Sequence, residues 1–126
     1  MALKPEQTVQ INFVNWLKHN YPEVSCHVIM IGNEGKRSVQ GHQTAKRMGL
    51  HKFASDLFIA YPSGEFHGAF IEVKKEGWKL LPSNEEHTQG QLDFLERMLK
   101  TGYFGKVCIG LESCKSAIEE YIALKQ

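Results

Sequence analysis

The run Phe70-Ile71-Glu72-Val73-Lys74-Lys75 places an acid and a base two residues apart within an apolar stretch. Strand residues two apart share a face, so Glu72 and Lys74 lie side by side while Ile71 and Val73 point into the opposite layer. A second carboxylate, Asp56, opens the run Asp56-Leu57-Phe58-Ile59-Ala60-Tyr61, and Pro62-Ser63-Gly64 between the two runs reads as a tight turn. Folding about that turn brings Asp56 opposite the region of Glu72 and Lys74. Two carboxylates converging with a backbone carbonyl between them form a hard oxygen site suited to Mg²⁺. A lysine two residues along reaches the water or the phosphate at such a site. The same residues also fit an ordinary exposed cross-strand ion pair, which contributes little. An Asp followed 16 residues later by Glu-x-Lys is common by chance, so spacing alone does not decide between them.

The surrounding sequence predicts the elements that hold this set. Val9, Phe13, Trp16 and Leu17 form one apolar stripe of a helix over 5–19, with Pro5 in its first turn and Pro22 soon after its end. Residues 24–31, ending Val28-Ile29-Met30-Ile31, read as a strand, Gly32-Asn33-Glu34-Gly35 as a loop, and 38–48 as a short helix. Asp56 to Tyr61 and His67 to Lys75 form the hairpin. A helix capped by Ser83 or Asn84 runs to about Lys100, burying Leu92, Leu95 and Leu99, and Gly102 ends it. Lys106 to Gly110 reads as a buried strand, followed by a helix from near Ser113 that buries Ala117, Ile118, Tyr121 and Ile122. The order α, β, α, β, β, α, β, α predicts one α/β domain over 1–126, a central mixed β-sheet flanked by helices.

With 126 residues, 42% hydrophobic and 23% charged, the chain has the composition of one soluble domain, which excludes a disordered or fibrous protein. No apolar run nears the roughly 20 residues of a membrane span, and the N-terminus lacks a signal-like stretch. The three cysteines are odd in number with no CxxC, so neither a disulfide framework nor a zinc knuckle is indicated, and a reducing cytoplasm is expected. The net charge of +1 hides an uneven distribution: Lys36, Arg37, Lys46, Arg47 and Lys52 meet no acid between residues 35 and 55. That block leads directly to Asp56. It fits either a solvated helix face or a surface for a polyanion. His42, His51, His67 and His87 are scattered without ligand spacing, which argues against a zinc site, and His51 adjoins the basic block. Trp78 fits base stacking or loop packing.

The order helix, strand, Asp-hairpin-Glu-x-Lys, helix, strand resembles the PD-(D/E)xK (restriction-endonuclease-like) core, and within it the VRR-NUC (virus-type replication-repair nuclease) family. The resemblance spans Glu6 to about Tyr121. It is carried by Glu6-x-x-x-Gln10, Asn33-Glu34-Gly35-Lys36-Arg37-Ser38, Gly49 with Ser55-Asp56-Leu57-Phe58, Phe70 to Lys75 with Gly77-x-Lys79-Leu80, and Gln91 with Leu95-Glu96-Arg97 and Gly102-Tyr103. Two features depart from the family: Ser55 stands where proline is usual, and the loop Leu81–His87 is longer.

The resemblance implies a Mg²⁺- or Mn²⁺-dependent endodeoxyribonuclease. Asp56, Glu72 and the Val73 carbonyl would bind the metal. Lys74 would position or deprotonate the water, or stabilise charge on the phosphorane. Glu6 would hold a water or complete a second metal site, and Gln91 would orient Lys74 or the scissile phosphate. Lys36, Arg37, Lys46, Arg47, Lys52, Lys75 and Lys79 would contact DNA phosphates. The family also implies a homodimer acting on branched DNA of the Holliday-junction type, with no membrane partner, and suits a phage or prophage origin in a bacterial cytoplasm. Action on flap, nicked or single-stranded DNA, and a non-catalytic DNA-binding subunit, are the competing expectations.

Overall fold

The computed structural model describes residues 2–31 and 39–125; the expected Gly32–Gly35 loop, Lys36 and Arg37 lie outside them. The first helix, α1 (Pro5–Asn20), begins at a proline and buries Val9, Phe13 and Leu17. A one-turn helix, α2 (Pro22–Ser25), comes next and then a short strand, β1 (Val28–Met30). The expected strand over 24–31 is therefore shorter. Pro22 opens a helical turn instead of merely ending α1, since its missing N–H is no loss at a first helical position. The helix α3 (Val39–Arg47) falls within the short helix expected over 38–48.

The hairpin is present as β2 (Leu57–Ile59) and β3 (Gly68–Lys74), with Asp56 just outside the first strand. The remaining elements are α4 (Glu85–Lys100), β4 (Tyr103–Ile109) and α5 (Leu111–Ala123), the last two starting earlier than the sequence suggests. The four strands lie in the order β1-β2-β3-β4, with the first three antiparallel and β4 parallel to β3. A parallel pair needs a crossover, which α4 supplies. No helix of the described residues is long and apolar enough to cross a membrane.

One sheet face carries the main core. Leu57, Ile59, Ala69, Ile71 and Val73 pack there with Val9, Phe13 and Leu17 of α1 and Cys114, Ala117, Ile118 and Tyr121 of α5. Hydrogen bonds tie α5 to the hairpin turn: Ser63 Oγ donates to the Tyr121 carbonyl at 2.6 Å and, more weakly, to the Ile122 carbonyl at 3.4 Å, and Tyr121 donates its hydroxyl to the Tyr61 carbonyl at 2.6 Å. The other face is aromatic, with Phe58 and Phe70 at 4.7 Å and Phe70 edge-on to Phe94 of α4 at 5.2 Å. The buried stripe of α4 is Thr88, Gln91, Phe94 and Leu95. Leu92 and Leu99, expected inside, are 45% and 55% exposed. The helix is rotated because two polar residues, Thr88 and Gln91, occupy inward positions that apolar counting assigns elsewhere.

The β3–α4 loop is pinned to the turn between β4 and α5. Glu76 Oε2 accepts the Leu111 N–H at 2.9 Å, placing a carboxylate on donors that the first turn of α5 leaves unpaired. Gly110, with φ 84° and ψ 171°, makes this possible, because a Cβ there would run into the Glu76 carboxylate. That backbone region is essentially restricted to glycine and costs other residues about 1–3 kcal/mol.

Two sets of substitutions check these assignments by urea unfolding. Phe13→Ala is expected to cost about 3–5 kcal/mol, whereas Leu92→Ala on the exposed face should shift stability by about 0.5 kcal/mol or less. Glu76→Ala should cost about 0.5–2 kcal/mol, as loss of a helix cap does. Adding Gly110→Ala should then cost less than it does alone, since the carboxylate it displaces is already gone. Strict additivity would contradict the pinning.

Candidate active site

Strand register positions the acid pair. Leu57 pairs with Ile71 at the end of the β2–β3 ladder, so Asp56 falls across from Glu72, on the face opposite the Leu57–Ile71 core pair. Asp56 is held from both sides: its main-chain carbonyl accepts the Ile31 N–H at 2.8 Å, and its Oδ2 accepts the Val73 N–H at 2.7 Å. The N–H and C=O of one strand residue leave by the same edge, so the Val73 carbonyl faces the edge where Asp56 sits. Glu72 is only 4% exposed, and its Oε2 lies 3.8 Å from Lys74 Nζ.

Lys74 is oriented by three groups on three elements. Besides Glu72, its ammonium donates to Gln91 Oε1 of α4 at 2.8 Å and sits 5.0 Å from the ring centre of Trp78 in the β3–α4 loop. Gln91 itself is buried. A charge-assisted bond and a cation–π contact together restrict a side chain that otherwise has four freely turning bonds. Trp78 thus packs on the lysine.

These residues open onto one cleft of about 620 Å³, lined by Glu6 of α1, Asp56, Glu72, Val73 and Lys74, and Gln91. All five residues expected to act in catalysis therefore share one wall system. Lys75 and Lys79 also line the cleft, while Lys46 and Arg47 lie exposed in the last turn of α3, outside its lining. Lys52 is exposed beside Phe53, 5.4 Å from that ring's centre. Asn84 does not cap α4 through its side chain: Oδ1 accepts the Leu81 N–H at 3.0 Å and Nδ2 donates to the Lys79 carbonyl at 3.1 Å. It shapes the loop that brings Lys79 to the cleft.

His87 is the cleft residue that sequence reasoning missed. It stands one helical turn before Gln91 on the same face of α4, a spacing visible in the sequence once Gln91 is singled out. Burial first, and then the charges of Lys74 and Lys52, push its pKa down, so the neutral ring is favoured at neutral pH.

The donor set fits a hard divalent cation: two carboxylates, one of them buried, beside a carbonyl that shares an edge with the other. Among the described residues no three His, Cys, Asp or Glu side chains gather at one metal-binding point. A cation here would therefore take Asp56, Glu72 and the Val73 carbonyl, and complete its shell with solvent or substrate oxygens, with Glu6 outside that set.

No protein-family model matches the chain, and no curated protein matches it. Among solved structures, that of a VRR_NUC domain protein is similar over 100% of this chain and 94% of its own, with a TM-score of 0.75 and 27% identity. The matched region takes in the whole of this chain, its mixed sheet and flanking helices included. Over its whole length the chain is thus similar to a VRR_NUC domain protein and shares its α/β fold, a mixed four-stranded sheet flanked by helices.

Proposed function

We propose that this nuclease domain is an endodeoxyribonuclease that hydrolyses phosphodiester bonds with Mg²⁺ or Mn²⁺. The observation that carries the reading is the single cleft in which Asp56, Glu72 and the Val73 carbonyl adjoin a lysine held in a fixed direction. Asp56, Glu72 and Val73 would hold the cation, which when bound supplies Lewis-acid neutralisation of charge on the phosphoryl oxygens. Lys74 Nζ then faces the same space with its remaining donors, able to orient the attacking water or to stabilise the developing oxyanion. Gln91 keeps the ammonium aimed, acting on the reaction through Lys74. Glu6, reaching the cleft from α1, holds a water at its rim. Lys75 and Lys79 contact phosphates on the open side, which fixes the position of DNA without reading its sequence.

The finer reading, a homodimer acting on branched DNA, rests on the family likeness and on one surface feature. The edge strand β1 presents Ile29 and Met30, 51% and 65% exposed, a short apolar edge on which a second copy could pair. Static light scattering at working concentration is expected to give twice the 14.4 kDa chain mass, and a monomer would contradict the dimer.

A panel of labelled junction, flap, nicked, single-stranded and linear duplex DNA with Mg²⁺ or Mn²⁺ tests the activity. Cleavage is expected with wild type, strongest on the junction, and none with EDTA. Asp56→Ala and Glu72→Ala should abolish cutting while binding persists. Lys74→Met should lower kcat by about 10²–10⁴-fold, the scale of a lost positioned proton-transfer or charge-stabilising group. Gln91→Ala should lower kcat less and leave KM nearly unchanged. Wild type that binds but cuts nothing with either metal would remove the enzyme reading, and an active Asp56→Ala protein would remove this site.

A further inference from the structure

On the α4 side, a row of rings and cations leads out of the cleft. The ring of His87, in the cleft wall, stands 5.4 Å from Phe53, and Lys52 Nζ lies 5.4 Å from the centre of that same Phe53 ring. His51 continues the row 6.4 Å from Phe53, and Arg97 Nη2 is 3.0 Å from His51 Nε2. From His87 to Arg97 the row follows ten residues of α4, roughly 15 Å at the α-helical rise.

Gly90 fixes the row to the helix. A Cβ at that position would stand 2.6–2.7 Å from three carbons of the Phe53 ring, so the ring lies directly against the α4 backbone. A glycine in mid-helix weakens the helix. Here it admits the ring that carries Lys52 and meets both histidines.

The cations of the row are available. Lys52 and Arg97 are exposed, and among the described residues neither is ion-paired with a carboxylate. Arg97 has five N–H donors, and among the described residues its guanidinium is hydrogen-bonded to His51 alone. Exposed cations beside aromatic and imidazole rings, in a line that starts at a cleft suited to phosphodiesters, match the alternating phosphates and base planes of a nucleic-acid strand.

We propose that this row binds one DNA strand where it leaves the cleft, over the few nucleotides that flank the scissile phosphate on the α4 side. The proposal rests on the nuclease reading for the identity of the strand, and it adds His87, Phe53 and Arg97 to the surface that DNA uses.

Binding without cutting tests it. Fluorescence anisotropy in EDTA would compare a labelled single strand long enough to cover cleft and row with one trimmed to a few nucleotides. Wild type should favour the longer strand, and Lys52→Ala/Arg97→Ala should lose most of that preference. Its slope of log affinity against log salt for the longer strand should flatten by about 1.4, roughly 0.7 for each lost phosphate contact. Equal losses on both strands, an unchanged salt slope, or no length preference in wild type would each overturn the row. A protein that behaves as expected here but cuts no DNA with either metal would sink the nuclease reading alone. One that cuts DNA but keeps its length preference in the variant would sink the row alone.

Discussion

The chemistry of the cleft depends on the 2.7 Å hydrogen bond from the Val73 N–H to Asp56 Oδ2. Where β2 ends, a side-chain carboxylate takes the place of the backbone acceptor that a longer strand would have offered. That substitution turns the carboxylate toward β3 and leaves the Val73 carbonyl beside it. A bond to a charged acceptor of this kind contributes about 1.5–3 kcal/mol. Its geometry follows from register: Leu57 against Ile71 and Ile59 against Ala69 are buried together, and a slip of one residue would send all of them, and Asp56, to the wrong face. Core packing and the acid pair are thus set by the same pairing.

Lys74 shows how the second sheet face serves the site. Glu72, Gln91 and Trp78 come from β3, α4 and the loop between them, and each contributes one partner to the ammonium. The loop is tied down at its start by Glu76 on α5 and along its length by Asn84, so the cation–π partner does not depend on loop packing alone. This arrangement also explains the inward amide on α4: Gln91 lines the cleft and meets Lys74 there.

The hairpin was legible because strand alternation and a Pro-Ser-Gly turn are local signals, and the acid pair follows from them arithmetically. The helix α1 was equally legible from Val9, Phe13 and Leu17. The rotation of α4 was not, since Leu92 and Leu99 outweigh Thr88 and Gln91 in any apolar count and only tertiary contact decides between them. His87 and Arg97 escaped for a related reason: their significance lies in what Phe53 brings against α4, and Gly90, which admits Phe53, looks in sequence like a mere weak point of a helix. The net charge of +1 was the least informative quantity, because Lys52, Lys74, Lys75, Lys79 and Arg97 border the cleft and its α4 side while many of the acids lie elsewhere.

Calorimetric titration of Mn²⁺ into the purified chain asks directly whether register has built a cation site. Wild type should show one saturable binding event per chain, and Asp56→Asn, which keeps the shape of the side chain but removes its charge, should lose it while unfolding at a similar urea concentration. Binding by Asp56→Asn equal to wild type would contradict the assignment of Asp56, and absence of binding in wild type would contradict the cation site itself.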